Sequence, residues 1–183
     1  MAIWTLDPGH TTAEFSARHL MVTTVRGRFA PPTGTIDFDP ANPSAATVEA
    51  TIDATTLTSG LADRDGHLKS PDFLDVANFP NITFKSTNVA VTGEGTANVT
   101  GDLTIRGVTK PITLAVEFTG TAKDPWGGTR AGFTAETKIN REDWGLTWNV
   151  ALEAGGVLVG KDIKLTIDAE AVLQAVPEAA ATA

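Results

Sequence analysis

His10, His19 and His67 are the chain's three imidazoles, and cysteine is absent. Disulfides and thiolate metal sites are therefore excluded. The histidine spacings match no helical or loop pattern of metal ligation, and the three fall on separate predicted segments, so no metal site is assigned. Asp63, Arg64, Asp65 and His67 form the densest charged cluster. A His/Asp pair that lines a pocket can run general acid–base chemistry, but charges on a short surface helix are more often solvated or paired. No Gly-x-Ser-x-Gly nucleophile elbow accompanies the cluster, and no residue is assigned a catalytic role. Arg18, Arg26, Arg28, Arg64, Arg106 and Arg141 are the cations available to a phosphate, which a planar guanidinium meets with two hydrogen bonds at once. Most of them read as surface charge.

The elements that must position these groups are strands. From Gly101 to Gly120, Leu103 and Ile105 alternate with polar residues, Arg106 to Lys110 interrupts, and Ile112, Leu114, Val116 and Phe118 resume the alternation. Side chains two apart share a face of a strand, so this is a hairpin with one apolar wall. Gly107 suits its turn, and Pro111 falls at a strand start, where a missing N–H is tolerated. The same period runs through Trp4 and Leu6; Ala13, Phe15, Ala17 and His19; Arg26 to Phe29; Thr35 to Phe38; Val48 to Ala54; Ile82 to Val91; Ala97 to Ile105; Ala131 to Ile139; Trp144 to Trp148; and Ile163 to Ala171. About eight to ten strands on short turns predict a sandwich or an up-and-down barrel.

One insertion breaks the period. Leu61 and Leu68 stand two helical turns apart with Arg64 between them, and Gly66 weakens that helix. Ser70-Pro71-Asp72 reads as an N-cap for one further turn through Phe73 to Asp75. Small residues recur on the apolar faces: Ala13 and Ala17, Ala97 and Gly101, Ala131 and Ala135. In a closed sheet of eight strands such a lining can leave room for one small ligand, or opposing large side chains can fill it. His19 shares parity with Phe15 and Ala17 and is predicted to point inward, the simplest reading being a buried imidazole bonded to a neighbour.

Composition narrows the classes. A net charge of −8 argues against a nucleic-acid partner. No apolar run approaches the ~20 residues of a spanning helix. A membrane barrel would want aromatic girdles, whereas Lys164, Asp168 and Glu170 face outward on the last strand. The first residues carry no basic and apolar leader, so the expected location is cytoplasmic, or periplasmic or secreted if a leader has been removed. One domain is expected over residues 1–174, followed by an Ala/Pro-rich tail at 175–183 that reads as disordered.

Five stretches resemble the YceI-like family: Trp4 to Phe15 with Asp7 and His10; Arg18-His19 to Val25-Arg26-Gly27-Arg28-Phe29; Asp63-Arg64-Asp65-Gly66-His67-Leu68 with Phe73; Phe79-Pro80 to Ser86; and Gly101-Asp102-Leu103-Thr104-Ile105-Arg106-Gly107-Val108-Thr109-Lys110-Pro111. The likeness continues through Gly132-Phe133, Ile139-Asn140-Arg141, Trp144-Gly145 and Val159-Gly160 and spans Trp4 to Val172. It implies an all-β, extended eight-stranded antiparallel barrel of lipocalin-like architecture, with a short helical insertion around residues 60–76. It further implies an elongated apolar interior that binds a polyisoprenoid, such as an isoprenoid quinone or a prenyl diphosphate. Many members carry a secretion signal, which this chain does not show.

The expected function is non-enzymatic binding of such a lipid, with no cofactor beyond the ligand. Phe15, Phe29, Phe84, Leu103, Ile105, Phe118, Phe133 and Trp148 are expected to line the interior with His19, and Arg18, Arg64, His67 and Arg141 are the candidate headgroup contacts. Each buried CH₂ contributes ~0.8 kcal/mol, so such a site selects by length and shape more than by headgroup. Two alternatives remain: an enzyme acting on a lipid-like substrate through His19 or the Arg64/His67 cluster, and a stress-response interaction module in which lipid is incidental. Pairing into a homodimer is left open.

Overall fold

The alternation is realised in the computed structural model, which describes residues 1–174, as ten antiparallel strands. They are β1 (Ala2–Leu6), β2 (Thr12–His19), β3 (Thr23–Phe29), β4 (Thr33–Phe38), β5 (Thr47–Asp53), β6 (Asn81–Gly93), β7 (Thr96–Ile105), β8 (Val108–Lys123), β9 (Thr129–Asn140) and β10 (Val159–Leu173). The expected tail lies outside the described residues. β1, β4, β5, β6, β7, β8, β9 and β10 pair in that order, and β10 pairs back onto β1, closing a barrel of eight strands with β2 and β3 as additions.

The register explains the two additional strands. Along one edge of β10, Ala171 to Leu173 face β1, while Val159 and Ile163 to Asp168 face β2. β1 and β2 are thus successive segments of one track, broken at Asp7-Pro8-Gly9. β3 and β4 are the antiparallel return, broken at Pro31-Pro32, where two missing N–H groups interrupt the ladder. β3 departs from the rest of the sheet, and among the described residues its outer edge meets only Thr58, through a bridge at Arg28.

The insertion covers that gap. Helix α1 (Ala62–Lys69) forms as expected, capped at its C-terminus by Ser70, whose N–H reaches His67 O. The helical turn expected at Phe73 to Asp75 is instead a pair of hydrogen-bonded turns, in which Phe73 and Asp75 donate their N–H groups to Ser70 O at 3.0 and 2.9 Å. Asp75 takes a left-handed φ of +49°, which no helix can propagate. The strand expected at Trp144 to Trp148 is also absent. Asn140 accepts from Glu142 N and caps a 3₁₀ turn over Arg141–Trp144, and Gly145 at φ +77° ends it. The chain beyond runs irregularly to Val159.

Two clusters close the ends. Ala54, Phe73, Ile82, Leu103, Ile105, Ile139, Trp144 and Leu146 pack at the end that carries α1. Trp4, Leu6, Ile36, Phe38, Ala131 and Ala171 pack at the other, where the Phe38, Phe118 and Phe133 rings meet at 5.1 to 5.5 Å between centroids. Both buried indoles are satisfied: Trp4 Nε1 donates to Phe38 O and Trp144 Nε1 to Leu103 O. From one cluster to the other the inward side chains along the wall are only half-buried: Ile112, Leu114, Val116 and Phe118 on β8, and Ile163, Leu165, Ile167 and Ala169 on β10. A packed core would bury them completely. The barrel is hollow.

Two glycines keep it so. Gly27 stands opposite Phe15, and a Cβ built on it would meet the ring at 2.3 Å; one on Gly101 would meet the Phe84 ring and Lys85 O at 2.5 Å. The outer end of each phenyl ring occupies the space a side chain on a neighbouring strand's glycine would fill. Gly27→Val should push Phe15 into the hollow, lowering its capacity for an apolar chain. Titration with a fluorescent polyene lipid checks this, and unchanged capacity would refute the role assigned to the glycine.

Candidate functional site

The hollow is a cavity of about 530 Å³ running between the two end clusters, within the range of ligand sites. Its walls come from the inward positions of nearly every strand and from Leu57, Leu68, Phe73 and Leu74 of the insertion. Phe15, His19, Phe29, Phe84, Leu103, Ile105, Phe118, Phe133 and Trp148, the residues expected in the lining, all stand in it, as do Arg18, Arg64, His67 and Arg141. Sequence reading missed Leu6, Ile36, Phe38, Val48 and Leu146. They sit on short or irregular segments whose alternation is legible but does not say which of their apolar residues reach the cavity.

The polar members of the wall are few. Apart from Thr96 they are Arg18, His19, Arg64, His67 and Arg141, all basic side chain types, and no carboxylate among the described residues lines the cavity. That is a strong segregation in a chain with 22 acidic against 14 basic residues. The five gather at the α1 end. His19 stands opposite Val159, Arg141 reaches Val159 and Gly160, and His67 stacks edge-on against Trp148 and Phe73 at 4.5 and 5.0 Å.

They are not equally free. Arg141 is buried and spends its donors on backbone, with Nε to Gly160 O (3.0 Å), Nη1 to Leu146 O and Nη2 to Val159 O (3.3 Å), its guanidinium lying 5.8 Å from the Phe73 ring centre. Burial pushes its ionisation below the ordinary arginine value, partly offset by Glu142. It is a clamp on the irregular segment before β10. His67 donates from Nε2 to Asp72 Oδ2 at 2.9 Å. Arg64 gives Nε to Ser59 Oγ and Nη2 to Ser59 O, both at 2.7 Å, which leaves Nη1 available. Among the described residues Arg18 reaches only Thr24 Oγ1, at 3.5 Å. His19 is half-buried, and its imidazole has no protein hydrogen bond among the described residues, unlike the bonded imidazole expected from sequence.

A second ionic cluster lies outside the cavity, where β1 breaks into β2. His10 Nδ1 stands 3.1 Å from Asp7 Oδ2 and 3.5 Å from Glu170 Oε1, a grouping with the donor types of a metal site. Its centre is taken by Arg130, which donates to Asp7, Glu170 and Asp124. The N–H of Gly9, with Arg130 and His10, holds the Asp7 carboxyl down at about 2. The folded carboxylate binds its proton less readily than the unfolded one, so the cluster's contribution should be complete above the ordinary value of 3.8 and lost as pH falls to about 2. Arg130→Met should lower the melting temperature at neutral pH and flatten its dependence on pH in that window. Equal slopes for variant and wild type would exclude the linkage.

A hollow antiparallel barrel, apolar inside and basic at one end, is the class of protein that fold and site define. A YceI-like domain model matches residues 4–171, and the chain belongs to that family. A UPF0312 protein of Ectopseudomonas mendocina (strain ymp) is 44% identical over 138 residues, covering 75% of this chain and 72% of that protein. The Campylobacter jejuni YCEI protein superposes with a TM-score of 0.73 at 32% identity, over 86% of this chain and 90% of its own. A Saccharophagus degradans structure described as a polyisoprenoid binding domain implicated in plant cell wall breakdown shares the fold, with a TM-score of 0.69 at 15% identity, over 95% of this chain and all of its own. No helix among the described residues is long and apolar enough to cross a membrane.

Proposed function

We propose that this protein is a non-enzymatic carrier of a long apolar lipid of the isoprenoid type, an isoprenoid quinone or a prenyl phosphate. The tail lies along the barrel interior, and the polar head sits at the α1 end among Arg18, His19 and Arg64. The observation that carries this reading is the cavity wall: predominantly apolar, without a carboxylate among the described residues, its basic groups confined to one end. A hollow of this kind rewards burial of methylene and methyl groups at ~0.8 kcal/mol each. The free guanidinium donors suit a phosphate and tolerate a quinone carbonyl. The structurally similar Saccharophagus degradans protein, described as a polyisoprenoid binding domain, supports the same ligand class.

Native mass spectrometry of protein purified from cells, followed by titration with a prenol and the matching prenyl diphosphate, tests the reading. Both should bind, the diphosphate more tightly. Arg18→Met together with Arg64→Met should weaken the diphosphate by roughly tenfold to a hundredfold and leave the prenol unchanged, since a charge-assisted hydrogen bond contributes ~1.5–3 kcal/mol. Repeated preparations with no lipid and no uptake of either compound would refute it.

A further inference from the structure

We propose that the turn joining β2 to β3 is a membrane-docking lip, which inserts Leu20, Met21 and Val22 into the headgroup layer of an anionic bilayer. This rests on the carrier reading above, because a chain insoluble in water must enter from a bilayer.

The turn is built against local preference. Leu20 and Met21 hold φ at +52° and +63°, the pair of left-handed conformations that a two-residue hairpin turn requires and that Asn-Gly satisfies easily. Branched or bulky side chains rarely adopt them, and strain of this kind concentrates at functional sites. The folded protein gains little burial in return: Leu20, Met21 and Val22 are 41, 58 and 72% exposed. Residues that strain the backbone and then stand in water serve something outside the chain.

The surroundings identify that partner. Leu20 N donates to Leu158 O and Leu158 N to Val150 O, both at 2.9 Å, which places exposed Val150 two hydrogen-bonded segments from the tip. Leu158 and His19 also line the cavity, and Arg18 lines it while remaining exposed, so the apolar tip is continuous with the cavity's basic end. On the hairpin, Arg18, Arg26 and Arg28 stand against a lone Glu14, in a chain whose net charge is −8. An apolar tip ringed by arginine fits an anionic lipid surface, where the burial and the charge attraction add. The cavity also nears the surface at the far end, beside exposed Val91 and Thr96, and Trp126 is 86% exposed on the loop between β8 and β9. That end carries none of the basic lining groups, so it serves as the control.

The test is co-sedimentation of the whole protein with vesicles of equal parts phosphatidylcholine and phosphatidylglycerol, and with vesicles of phosphatidylcholine alone. Wild type should bind the anionic vesicles more strongly, and less so in high salt. Leu20→Asn with Met21→Gly should lower binding at least about tenfold, while the melting temperature holds or rises because the new pair suits the turn. Trp126→Ser should bind as wild type does. Binding unchanged in the tip variant, binding lost only in Trp126→Ser, or a tip that pairs two copies in solution with no affinity for vesicles would each overturn the proposal. Uptake of geranylgeraniol, measured without vesicles, separates the two readings. Uptake without vesicle binding removes the lip and keeps the carrier; vesicle binding without uptake removes the carrier and keeps the lip.

Discussion

Replacing Ala135 with phenylalanine is expected to abolish uptake of a long isoprenoid while the barrel stays folded. Ala135 lies on β9 with Val116 and Ile167 as its cross-strand neighbours, and all three face the cavity. The added ring enters the hollow and displaces at least one isoprene unit, about five carbons. At ~0.8 kcal/mol per CH₂ that loss is roughly 3–4 kcal/mol, or two to three orders of magnitude in affinity. Overpacking, which costs ~1–3 kcal/mol in a filled core, does not apply where space exists, so the melting temperature should hold or rise. Ala115→Phe is the matched control. Ala115 is exposed on the outer face of β8 and pairs with Glu136, so the same ring there should leave uptake unchanged. A lipid titration comparing the two variants decides the matter. Equal affinities would mean that the ligand does not lie along this part of the interior.

Much of that site was legible before any coordinates. The hairpin over Gly101 to Gly120 announces its inward face because six large apolar positions repeat at period two, and Phe15, Ala17 and His19 do the same over a shorter run. What period two cannot report is what stands opposite each face. Ile112, Leu114 and Val116 would read identically in a solid core and in a hollow. The two cases differ in whether facing strands carry alanine or leucine, and that depends on closure of the sheet. The ring-on-glycine contacts of Phe15 and Phe84 are hidden for the same reason, since Gly27 and Gly101 read as small residues within strands and only the register shows which ring lies against each.

The misread segment at Trp144 to Trp148 has a different cause. Its alternation of Trp144, Leu146 and Trp148 is genuine, and all three do point to the cavity. Their shared direction comes from a 3₁₀ turn and a left-handed glycine held by Arg141, a residue the sequence offers only as one more cation. The Arg130 cluster was likewise out of reach: Asp7 and Arg130 are 123 residues apart, and only the return of β10 to β1 brings them together. Long-range ion pairs leave no local periodicity to read.

Arg141→Met is accordingly predicted to be the most destabilising single change at the site. Methionine keeps an apolar stem of similar length and removes the donors to Gly160 O, Leu146 O and Val159 O. Val159 O keeps the Asn149 Nδ2 donor at 2.7 Å, so Gly160 O and Leu146 O are the acceptors left unpaired. At ~1–3 kcal/mol each, with the guanidinium's contact to the Phe73 ring also lost, the expected loss is about 3–5 kcal/mol. For a chain of this size that corresponds to a fall of roughly 10 °C or more in melting temperature. Arg141→Lys should not restore it, because one ammonium cannot reproduce the planar fork that serves three carbonyls. The damage should also be directional. Trp144, Leu146 and Trp148 hang on the segment that Arg141 ties to β10, so its release opens the basic end of the cavity and bound lipid should exchange faster than from wild type even well below the melting point. Thermal unfolding followed by circular dichroism, with lipid off-rates measured in parallel, checks both parts. A loss of stability without faster exchange would show that Arg141 holds the barrel together without gating its end.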